Sequence, residues 1–97
     1  MTTLSDFRAT LTEAAPVSAD PAVQGLWWAA KGVWDRAHEC VQQHEGTPRC
    51  DLVHAYLHRV EGDEINAAYW YRRAGRAPSS LPLTAEWDTI ATELLGQ

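Results

Sequence analysis

The stretch AYLHRVEGDEINAAYWYRRAGRAP, from Ala55 to Pro78, decides how this chain folds. Its apolar residues recur at helical spacing up to Val60, and Gly62 then offers the left-handed turn that closes a helix. Asp63 follows at once, a side chain suited to accept hydrogen bonds from the open N–H groups of a new helix. Two helices joined by a Gly-Asp turn make a hairpin, which Gly75 and Pro78 terminate.

The same punctuation continues outward. Leu4, Phe7, Leu11 and Ala14 predict a first helix over about Leu4 to Ala15. Asp20-Pro21 opens a second that runs to Gly32, and a third spans Val33 to His44 before Gly46. Thr47-Pro48 opens the fourth, which reaches Glu61, and the fifth runs from Asp63 to Gly75. Residues 77–83, with Pro78 and Pro82, read as a linker, and Thr84 caps a last helix over Ala85 to Leu95. No segment alternates with the two-residue period of a half-buried strand, so the expected class is all-α with about six helices.

A shift of 30 positions exposes an internal period. It places Gly32 on Gly62, Ala37 on Ala67 and Pro48 on Pro78: turn, small contact residue and terminator. Val23, Val53 and Leu83 share a column, as do Gly25, Ala55 and Ala85, and Trp27, Leu57 and Trp87. The expected organisation is one domain over 1–97: a capping helix in 1–20, hairpins in 21–47 and 48–77, and a linker with a capping helix in 78–97.

Ala55, Gly62-Asp63, Ala67, Tyr71 and Pro78 resemble the second half of a tetratricopeptide or Sel1-like repeat. The first unit carries Gly25, Gly32, Ala37 and Pro48 likewise, with Val33 and Val41 where that pattern has Asp and an aromatic. The phrase HAYLHRVEGD…YWYRRAG also resembles small uncharacterised bacterial proteins. The resemblance implies a short right-handed stack of antiparallel hairpins, a solenoid whose concave face binds a protein or peptide partner.

Composition narrows the function classes. With 45% hydrophobic residues the chain can build a core, and its five Trp carry much of the burial available to so short a chain. A net charge of −5 argues against nucleic acid, which demands a basic stripe. No apolar run approaches the ~20 residues of a membrane span. Thr2 to Ala15 lacks the basic-then-apolar order of a signal peptide, so a cytoplasmic location is expected. Cys40 and Cys50 are then expected as reduced thiols.

Chemistry is sparse. Asp51, His54, His58 and Glu61 share one side of the fourth helix, opposite Leu52, Val53, Tyr56, Leu57 and Val60. His at i and i+4 can ligate one metal ion with a nearby carboxylate, and a solvated helix face is the plainer alternative. Cys40, His44, Cys50 and His54 form a second soft-ligand set, but the repeat puts Cys40 and His44 on a core stripe and His54 on the polar side. Cys50, near a helix start with His54 one turn on, is a nucleophile only if its thiol is acidified there. An enzyme is not the favoured reading; no catalytic residue, metal or cofactor is assigned.

The concave face is expected to carry Trp28, Asp51, His54 and His58, in line with Asp88. Tyr69 and Arg72 mark an aromatic and cationic patch on the fifth helix. These six, Trp28, Asp51, His54, His58, Tyr69 and Arg72, are the candidate binding residues. The expected function is a protein- or peptide-binding interaction module. The alternative is a metal or small-ligand site on the Asp51/His54/His58 face, and exposed aromatics also suggest a homodimer.

Overall fold

The computed structural model describes residues 2–96; Met1 and Gln97, the ends of the expected 1–97 domain, lie outside the described residues. Six α-helices follow in order: α1 (Leu4–Ala9), α2 (Pro21–Ala30), α3 (Trp34–Gln42), α4 (Pro48–Val60), α5 (Glu64–Arg73) and α6 (Leu83–Leu94). The all-α class is as expected. Neighbouring helices pack on one another in a globule of 33 × 24 × 22 Å.

Local chemistry explains most boundaries. Thr3 and Asp6 form a reciprocal capping box on α1. Asp20 Oδ1 accepts from the Ala22 N–H at 2.9 Å, and Asp63 Oδ1 accepts from Asn66 at 3.0 Å. Several boundaries differ from expectation, those of α1 and α6 for visible reasons. α1 stops at Ala9 and tightens into a 3₁₀ turn over Thr10–Thr12, where the Thr10 hydroxyl donates to the Phe7 carbonyl at 2.6 Å. α6 starts at Leu83, not behind a Thr84 cap, because the Pro82 carbonyl already accepts from the Glu86 N–H at 2.9 Å.

The α2–α3 and α4–α5 turns close alike. Gly32 (φ 77°) and Gly62 (φ 85°) are both left-handed. Each N–H reaches the carbonyl three residues back at 3.0 Å, while Val33 and Asp63 reach back five residues, at 3.0 and 2.9 Å.

α4 is the centre of the molecule. Every residue from Cys50 to His58 is buried, because α2, α3, α5 and α6 all pack against it. Of the side of α4 that could have been a solvated face, Asp51, His54 and His58 are therefore buried and Glu61 stays exposed. On the opposite side, Glu86 of α6 is buried and accepts from Arg59 Nη1 at 2.5 Å and from the Tyr71 hydroxyl. The Trp87 indole N–H donates to the Leu26 carbonyl at 2.8 Å, tying α6 to α2. No helix is long and apolar enough to cross a membrane, among the described residues.

Candidate functional site

The i, i+4 pair His54 and His58 projects from α4 toward α3, where a second i, i+4 pair, Trp34 and His38, meets it. One ring nitrogen from each of His38, His54 and His58 lies within 4.8 Å of the others. Nε2 of His38 and Nε2 of His54 are 3.1 Å apart. Two imidazoles bound to one tetrahedral zinc at ~2.05 Å would hold their nitrogens about 3.3 Å apart, so this spacing is close to that of a coordinated pair.

Tryptophans wall the trio on both sides. His54 stacks on Trp70 of α5 with centroids 3.8 Å apart, and His38 stacks on Trp34 at 4.8 Å. Trp34 is fixed in turn by its indole N–H, which donates to the Leu57 carbonyl at 2.7 Å. His58 Nδ1 is 2.5 Å from Glu61 Oε1, a carboxylate–imidazole pair that leaves Nε2 as the uncommitted nitrogen of that ring. His54 Nδ1 is buried with no hydrogen-bond partner, so the cluster contains a polar atom that its surroundings leave unsatisfied.

The electrostatics keep His38 and His54 neutral. Burial, reinforced by His38, His58 and Arg73, pushes His54 down to about 3. His38 is lowered too, by burial first and then by His58, against the opposing pull of Glu61, Asp35 and Glu45. Neutral imidazoles expose the lone pairs that a metal ion needs. The carboxylates of Glu61 and Asp63 lie near His58 at the exposed edge of the cluster.

The other candidates divide. His54 and His58 are central. Tyr69 adjoins them only through Trp70, whose ring it meets edge-on at 5.1 Å, and Arg73 Nη1 donates to its hydroxyl at 3.0 Å. Arg72 is on the exposed side of α5. Asp51 is buried, and both its oxygens accept from the Gly46 N–H at 3.2 Å, so it clamps the α3–α4 turn. Trp28 makes its ring contacts with Trp27 and the Arg36 guanidinium rather than with the histidines. Asp88 pairs with Arg8 instead of lining a face with them.

For the cysteines, the expected core stripe is corrected, while the divergence of the soft-ligand set stands. Cys40 is half-buried and His44 exposed, because α3 ends at Gln42 before His44 can join a core stripe. Among the described residues, the Cys40, His44, Cys50 and His54 set does not converge. Burial, with Asp20 and Asp51 nearby, pushes the Cys50 thiol up to about 11, opposite to the acidified nucleophile considered from its place in the helix.

His38 is the residue that the sequence reading missed. Its signal was present: Trp34 and His38 repeat the i, i+4 spacing of His54 and His58, and His38 stands beside the core residue Ala37. No protein-family model, curated protein or solved structure matches the chain.

Proposed function

We propose that this protein binds a divalent transition-metal ion of the zinc class through His38, His54 and His58. The observation that carries the reading is the convergence of three imidazole nitrogens, one per ring, within 4.8 Å. An all-imidazole donor set suits zinc, copper, nickel or iron and not the oxygen-seeking calcium or magnesium. The Glu61 carboxylate on His58 Nδ1 orients a ligating ring in the manner of metal-site carboxylates.

Calorimetric titration of untagged, chelator-treated protein with Zn²⁺ tests the reading. One equivalent is expected to bind. His38→Gln, at a half-buried position, should keep the helical circular dichroism and melting curve while weakening binding more than ~10-fold. No uptake by the parent chain, or equal uptake by a folded His38→Gln variant, would refute the assignment.

The outer face of α5 supports a second reading, a protein-interaction module. Ile65 is 88% exposed and Tyr69, one turn on, 42%. The matching Gly32 and Gly62 turns support the tetratricopeptide-like repeat on which that module would be built. Self-association through α5 is its simplest form. Sedimentation should then give twice 10.8 kDa for the parent and a monomer for Ile65→Glu; a monomeric parent excludes the homodimer.

A further inference from the structure

A metal held by three imidazoles lacks at least one ligand, since zinc takes four or more. The surroundings do not supply it. Among the described residues, no further His, Cys, Asp or Glu brings a ligand atom within 4.8 Å of all three nitrogens. Glu61 groups with His58 and Asp63 and not with the trio, and its Oε1 is engaged by His58 Nδ1.

The direction of the missing ligand follows from burial. His54 and His58 are buried, closed in by Trp70 and Trp34. His38 is only half-buried, and the Glu61 side chain is 37% exposed. The partly exposed members of the cluster are therefore His38 and Glu61, and they mark its solvent-facing edge. Charge selects what enters there. Glu61 and Asp63 together offset the charge of a divalent ion, and Asp35 and Glu45 add negative potential at His38. Small anions gain little from such an edge, whereas a neutral donor that can also give a hydrogen bond to a carboxylate is favoured.

Resting on the metal reading above, we propose that the bound ion keeps one exchangeable coordination position at the His38–Glu61 edge. Water fills it at rest, and small neutral nitrogen or oxygen donors displace that water in preference to anions. This is the arrangement of an open, substrate-accessible metal site and differs from the closed four-ligand site of a purely structural zinc.

Cobalt(II) loaded into the same chain reports coordination through its visible absorption. The loaded protein would be titrated with imidazole and, separately, with azide. The expected result is a saturable spectral change with imidazole at a concentration at least ~10-fold below that needed for azide. A cobalt spectrum insensitive to both probes overturns the open position, and tighter azide than imidazole overturns the charge selection. Failure to take up cobalt at all refutes the underlying metal assignment instead, so the two failures are told apart. In Glu61→Gln, which keeps an acceptor for His58, the preference over azide should narrow; an unchanged preference removes Glu61 from the selecting group.

Discussion

Glu86 gathers the hydroxyl of Tyr71 and the guanidinium of Arg59 in a site from which water is nearly excluded. Burial first, then the Glu86 carboxylate, pushes the Tyr71 phenol well above its usual range, so the phenol stays a donor. Truncating the carboxylate would leave the half-buried Arg59 cation with only the Leu81 carbonyl, and the buried Tyr71 hydroxyl without its acceptor. Glu86→Ala is therefore expected to cost about 3–5 kcal/mol, read as a shift in the urea midpoint at unchanged slope. An effect under about 1 kcal/mol would mean that the network contributes little. In the sequence, Glu86 is one more acid in the first turn of the last helix. Nothing local distinguishes a carboxylate that will meet Arg59, twenty-seven residues away, from one that meets water. Trp27 and Trp87 were legible as core because large apolar rings have few other places to go.

At the scale of elements, turn chemistry was the most readable signal, since Gly62-Asp63 and Asp20-Pro21 act within a few residues of themselves. α4 was the misreading. Its Asp51, His54 and His58 fit the pattern of an amphipathic surface helix, and amphipathicity assumes one covered side. From Cys50 to His58 α4 is covered on all sides, so His54 and His58 became part of the site and not of the exterior. At Gly25 the absence of a side chain has a packing reason, the close approach of α2 to α3. A Cβ at Gly25 would lie 2.9 Å from Val41 Cγ1 and 3.2 Å from the Ala37 carbonyl oxygen. Helix propensity favours Gly25→Ala by about 1 kcal/mol, while overpacking costs about 1–3 kcal/mol. The clash should win, giving a net loss near 1 kcal/mol in denaturant titration; a stabilised variant would show that α2 and α3 yield freely.

For the molecule as a whole, the histidine cluster sets how the metal-free chain meets acid. His54 titrates near 6.5 when unfolded and about 3 when folded, because burial first, then His38, His58 and Arg73, oppose charging. The unfolded state therefore binds the extra proton first, and stability falls as pH drops from about 6.5 toward 3. His38, lowered in the same direction, adds to the loss. Melting temperatures of the metal-free chain should decline steadily through that window, and His54→Gln should flatten the decline; a parallel decline in the variant would assign the acid sensitivity elsewhere. The trio itself could not be assembled from sequence, because His38 and His54 are brought together only by the packing of α3 on α4. That packing also lays the indole of Trp70 flat against His54, 3.8 Å between centroids. An indole so placed emits light whose intensity depends on the charge state of the imidazole beneath it. The chain thus carries a built-in optical gauge: its own ultraviolet emission should register what happens at the cluster, with no dye attached.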